Sequence, residues 1–113
     1  MASSAMLAPE KAPQFLDSMI RRNNVVIISA TYCTFCTRLK ALFIEKQFRF
    51  VSLEVDIIPN GRALFQEVQG RTGVHTVPQV YVKQKFIGGY DDVIEMGKNG
   101  ELEKLVGKNT MTK

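Results

Sequence analysis

Val25-Val26-Ile27-Ile28 is an unbroken run of β-branched residues, closed by Ser29 and preceded by Asn23-Asn24. A short apolar run without alternation belongs to a strand covered on both faces. Such a strand needs neighbours at its edges and layers above and below, so the chain is confined to a sheet enclosed by helices. The segment that follows agrees. Cys36, Leu39, Leu42 and Phe43 recur at three- and four-residue spacing, the period of a helix. Cys33 therefore stands where a buried strand gives way to a helix.

The rest of the chain fits the same class. Residues 1–11 are small, polar or proline without periodicity and read as a flexible tail. Phe15, Leu16, Met19 and Ile20 then share a helical face, with Arg21-Arg22 suited to the negative end of the helix dipole. Phe50 to Val55 reads as a second strand, and Pro59-Asn60-Gly61 opens a helix with Leu64, Phe65 and Val68 on one face. Gln79 to Val82 and Lys85 to Ile87 form a hairpin across the two-residue connection Lys83-Gln84. Gly88-Gly89 ends that hairpin, Asp91 and Asp92 read as caps of a short helix through Val93, Ile94 and Met96, and a last helix carries Leu102, Leu105 and Val106.

A β-α-β unit with a right-handed crossover, followed by a helix, a hairpin and terminal helices, predicts the α/β class. The expected sheet has four strands of mixed direction, with the first strand central and helices on both faces. The 113 residues fit one domain, over 12–108. Cys33 then lies at the carboxyl end of a central strand, where open α/β sheets place their ligands.

Charge and composition exclude several classes of partner. The formal charge is +4, but the basic residues are scattered and only Arg21-Arg22 are adjacent, so no stripe tracks a nucleic-acid backbone. No apolar run approaches the ~20 residues of a membrane span. The only cysteines are Cys33 and Cys36, too close together to staple a secreted fold. A reducing compartment is expected, the cytoplasm first and the mitochondrion as the alternative.

Cys33-Thr34-Phe35-Cys36 by itself suits a redox pair, part of a zinc site, or two core cysteines. Zinc needs four ligands, and the chain offers no further cysteine and one histidine, His75. The strand-to-helix junction favours redox chemistry, because free N–H groups and the helix dipole stabilise an anion at Cys33. Cys36 lies one turn deeper on the apolar face, so it is expected to stay a thiol until it resolves a mixed disulfide.

Three separated segments resemble the glutaredoxin family, and its dithiol members in particular. They are Tyr32-Cys33-Thr34-Phe35-Cys36, Thr76-Val77-Pro78-Gln79 and Phe86-Ile87-Gly88-Gly89-Tyr90-Asp91-Asp92, and the resemblance runs from about Phe15 to Val106. It implies a thioredoxin fold and a glutathione-dependent thiol–disulfide oxidoreductase, with Cys33 as nucleophile and Cys36 as resolving thiol. It also implies a glutathione site made of Tyr32, Thr76, Val77, Pro78, Gly89, Tyr90, Asp91 and Asp92. In that site Pro78 is cis, Val77 pairs with the cysteine of glutathione, and Asp91 and Asp92 meet its γ-glutamyl end. The implied partners are glutathione or a related small thiol, and glutathionylated or disulfide-bonded proteins.

The departures from the family pattern also carry implications. A lysine common three residues before the first cysteine is Ala30 here, and a glutamine common in the following helix is Phe65, which implies weaker hold on glutathione or preference for a larger or cationic thiol. Thr34 replaces the usual proline, Phe35 the usual tyrosine, and His75 a common arginine or lysine. Some members without that proline bridge a [2Fe–2S] cluster between two subunits through the first cysteine, so a dimeric cluster carrier or sensor using Cys33 is the alternative to a monomeric enzyme.

Overall fold

The computed structural model describes residues 9–107. Pro9–Lys11 are wound into a 3-10 turn that leads into α1, Ala12–Arg22, so the local structure starts earlier than the tail expected through residue 11. Pro13 sits in the first turn of α1, where its missing N–H leaves no bond unmade. Residues 1–8 of that tail, and residue 108 of the expected domain, lie outside the described residues.

The elements that follow are β1 (Val25–Ser29), α2 (Thr34–Glu45), β2 (Val51–Glu54), α3 (Gly61–Thr72), β3 (Gln79–Val82), β4 (Lys85–Gly88), α4 (Tyr90–Asn99) and α5 (Glu101–Val106). The strand order is β2-β1-β3-β4. β1 runs parallel to β2 with Val26 opposite Val51, and antiparallel to β3 with Val26 opposite Tyr81. This is the expected four-stranded mixed sheet of the thioredoxin fold, and every residue of β1 is buried. Lys83 and Gln84 turn β3 into β4 with both residues at positive φ, the backbone that suits the twist of a two-residue hairpin.

Successive side chains of a strand point to opposite faces, and β1 divides its apolar run accordingly. Val25 and Ile27 pack with Leu39 and Phe43 of α2, Val93 of α4 and Leu102 and Val106 of α5. Val26 and Ile28 pack with Leu16 of α1 and Leu64 and Val68 of α3. Each such side chain removed wholly from water contributes about 1.5–3 kcal/mol, so the two layers hold the sheet from both sides. α3 comes so close to the end of β2 that a Cβ on Gly61 would lie 1.9 Å from the Val55 carbonyl oxygen, which leaves room only for glycine.

One local expectation is corrected. The residue capping α4 is Gly89, with no side-chain capping bond, while Asp91 and Asp92 lie within the first turn. The aspartates complement the helix dipole there without closing the helix end themselves.

Candidate active site

At the end of β1 the chain turns into α2, and Cys33 is the capping residue of that helix. Its Sγ accepts a hydrogen bond from the Cys36 N–H at 3.2 Å, and its own N–H donates to the Ala30 carbonyl at 3.1 Å. A sulfur in this position faces the positive end of the helix dipole and one of its unpaired N–H groups. Cys33 is partly exposed and Cys36 is buried, both as free thiols. Burial pushes the Cys36 thiol from 9.0 up to about 11, and its hydrogen bond with Cys33 adds to the rise. Two intervening residues thus separate an accessible sulfur from one held protonated.

Polar ties brace this turn from below. The Ser29 hydroxyl donates to Glu54 Oε1 at 2.8 Å, and Lys40 Nζ donates to Glu54 Oε2 at 2.8 Å. Burial would raise the Glu54 carboxyl, but bonds from Lys40, Ser52 and Ser29 outweigh it and hold the group below its ordinary range. Asp56, beyond β2, accepts from the Thr31 N–H at 2.9 Å and from the Thr31 hydroxyl. Those two bonds lower the Asp56 carboxyl.

The facing side is the loop from Gly73 to Pro78. The Val77–Pro78 peptide is cis, as the resemblance implies, and the Cys33 thiol points at the Val77 carbonyl oxygen at 3.8 Å. Gly89 passes behind this loop, where a Cβ would meet the Pro78 carbonyl at 3.3 Å. Gly88, at φ +133°, leaves room for Asp92, whose Cβ would stand 2.7 Å from an added side chain.

Between the two sides lies a groove of about 320 Å³ lined by Phe35, Thr76, Val77, Pro78, Tyr90 and Asp91. Phe35 and Tyr90 meet across it with ring centroids 4.9 Å apart, and the Arg38 guanidinium lies 5.6 Å from the Phe35 ring centre. Of the residues expected at the site, Thr76, Val77, Pro78, Tyr90 and Asp91 line the groove and Cys33 faces Val77. Tyr32, 79% exposed, Gly89 and Asp92 do not line it. His75 is turned aside, with Nδ1 2.5 Å from the Gln69 Oε1.

Sequence reasoning did not find the bracing groups. Asp56 is 25 residues from Thr31, and no local pattern links them. Gln79 was visible as part of a motif, but its partners, the Val74 and Thr76 carbonyls and the Thr72 hydroxyl, were not. Among the described residues no group of three or more His, Cys, Asp and Glu side chains could hold a metal ion. Of the two cysteines, the partly exposed Cys33 is the one that a cluster shared between two subunits would take from each chain. No helix of the described residues is long and apolar enough to cross a membrane.

Residues 25–87 match the family model described as glutaredoxin. A chloroplastic glutaredoxin-C4 of Oryza sativa subsp. japonica is 38% identical over 104 residues, which cover 92% of this chain and 75% of that protein. Among solved structures, a buckwheat glutaredoxin–glutathione complex superposes with a TM-score of 0.83 at 34% identity, covering 87% of this chain and 89% of that one. Reduced glutaredoxin C1 from Populus tremula x tremuloides gives a TM-score of 0.85 at 32% identity, covering 100% of this chain and 96% of the other.

Proposed function

The chain belongs to the glutaredoxin family of thiol–disulfide oxidoreductases, and on that footing we propose that it is a dithiol member that reduces glutathione mixed disulfides and protein disulfides. The observation that carries this reading is the Cys33 sulfur, capping α2 and facing the Val77 carbonyl at 3.8 Å beside an open groove. A thiolate is the attacking species in disulfide exchange, and the helix start turns the Cys36 N–H toward the Cys33 sulfur at 3.2 Å.

In deglutathionylation the Cys33 thiolate attacks the glutathione sulfur of a mixed disulfide. The target's sulfur leaves with the electron pair of the broken S–S bond and takes a proton, and Cys33 carries glutathione. The thiolate of a second glutathione attacks that glutathione sulfur, so glutathione disulfide departs and Cys33 is a thiolate again. With a protein disulfide, Cys33 forms the mixed disulfide, and Cys36 then loses its proton and attacks the Cys33 sulfur. The target leaves with both its thiols, and two glutathiones reduce the Cys33–Cys36 disulfide.

The groove supplies binding for the small thiol. The Val77 peptide group pairs with the cysteine of glutathione, flanked by Thr76 and Pro78. The start of α4 receives the γ-glutamyl end: its free N–H groups suit the carboxylate, and Asp91 and Asp92 suit the ammonium. Tyr90 and Gly89 shape this end, and Tyr32 extends the surface offered to a protein target. The glutathione named in the buckwheat complex supports this choice of ligand. Two free cysteines suit a reducing compartment, the cytoplasm or the mitochondrion.

Turnover of a glutathione mixed disulfide with glutathione as reductant tests the reading. Cys33→Ser is expected to fall to the uncatalysed background, while Cys36→Ser keeps this activity and loses protein-disulfide reduction. Negligible turnover by the unaltered protein would overturn it.

A further inference from the structure

Gln79 opens β3 with its side chain wholly buried. A carboxamide has two N–H donors and a carbonyl acceptor, and each is used. Nε2 donates to the Val74 carbonyl at 2.8 Å and to the Thr76 carbonyl at 3.0 Å, and Oε1 accepts from the Thr72 hydroxyl, 2.9 Å away. Thr72 Oγ1 also accepts from the Val74 N–H at 3.1 Å. Burying an amide is costly unless it is fully paired, and an apolar side chain of the same length would fill the space without that demand. Its purpose therefore lies in what it holds.

What it holds is the back of the groove. Residues 73–78 belong to no helix or strand, so no regular ladder fixes the direction of their peptide groups. The chain bends at Thr76 and Val77 and passes through the cis Val77–Pro78 peptide, so the direction of each carbonyl depends on what binds it. With the carbonyls of Val74 and Thr76 both bound to Gln79, the carbonyl of Val77 faces the Cys33 sulfur at 3.8 Å. The amide thus acts as a substitute strand edge behind the loop.

We propose that Gln79 is a positioning residue for the thiol substrate, fixing from behind the loop orientation that offers the Val77 peptide group to the substrate's cysteine. This rests on the reading of Val77 as the partner of that cysteine. The bonds that cap α2 with Cys33 involve none of these groups. Loss of the Gln79 amide therefore acts mainly on substrate binding: at Cys33 it disturbs only the long contact with the Val77 carbonyl at 3.8 Å, while the shorter bond from the Cys36 N–H at 3.2 Å stays.

The experiment measures KM and kcat for a glutathione mixed disulfide together with the rate at which iodoacetamide, which needs no groove, alkylates Cys33. Gln79→Met is expected to raise KM roughly tenfold, with kcat and the alkylation rate within about twofold of the unaltered protein. Thr72→Val, which removes both the partner of Oε1 and the acceptor of the Val74 N–H, raises KM less, and Thr72→Ser, which keeps the hydroxyl, leaves KM unchanged. An unchanged KM in folded Gln79→Met, or equal changes in KM, kcat and alkylation, overturns the assignment. Should Gln79→Met fail to fold, the Thr72 pair decides, and equal KM values for valine and serine overturn it. Absence of turnover by the unaltered protein would instead overturn the proposed function and this inference with it.

Discussion

The two sides of the groove are held by different kinds of bond. On the β1–α2 side the backbone closes on itself: Cys33 N–H to Ala30, Cys36 N–H to the Cys33 sulfur and Thr37 N–H to the Cys33 carbonyl all span three or four residues. On the other side the Gly73–Pro78 loop is shaped by two side chains, the buried Gln79 and Thr72, and by the passage of Gly89 against the Pro78 carbonyl. Helical bonds are made by sequence neighbours wherever the local pattern is right. An irregular loop has no such ladder and takes its orientation from groups brought to it by the fold. The reactive sulfur thus sits on the self-supporting side, and the binding surface on the dependent one.

The largest effect on stability expected from a change to the helical side comes from Cys36. Its thiol ionises near 9.0 in an unfolded chain and near 11 in the folded one, so between these values the folded state binds more protons. The contribution to stability is complete below pH 9 and is lost as pH rises through 11, by about 3 kcal/mol in all. Denaturant midpoints followed from pH 8 to 11 should fall more steeply for the unaltered protein than for Cys36→Ala. Parallel curves would mean that the two cysteines are not set apart by burial.

The dependent side is sharpened by Asp91→Asn. Removing the only charged side chain among the described residues that line the groove is expected to raise KM for glutathione substrates about tenfold with kcat kept, as steady-state kinetics would show. A fall in kcat with KM unchanged would place Asp91 in the chemistry and break the division between a reactive and a binding side. The smallest effect is that of Phe35→Ala, which removes the aromatic contact bridging the two sides at 4.9 Å. A loss of about 0.5–1.5 kcal/mol in chemical denaturation is expected. A much larger loss would show that the helical side depends on its neighbour.

Most of the fold was legible because its signals are periodic. The β-branched run from Val25 to Ile28 announced a strand buried on both faces, and the spacing of Cys36, Leu39 and Phe43 announced the helix that covers one of them. The hairpin connection at Lys83-Gln84 was legible from its length, although neither residue is the glycine or asparagine usual at positive φ. Asp91 and Asp92 were misread as caps because a first-turn acid and a capping acid look alike in sequence, and the closing role fell to Gly89. The asymmetry of the two cysteines followed from their places on a helix end and a helix face. Tyr32 is expected at the site only through the family resemblance, and its side chain is largely exposed.

By itself the sequence determined the sheet, its covering helices and a cysteine at the start of α2, since all of these arise from hydrophobic period and local backbone bonding. Only the tertiary structure decided which distant groups meet: Asp56 with Thr31, Phe35 with Tyr90, and Cys33 with the Val77 carbonyl. Such contacts depend on the register of β1 against β3 and on how α4 follows the hairpin. Those are global choices, set by packing two layers on one sheet, and no short stretch of residues encodes them.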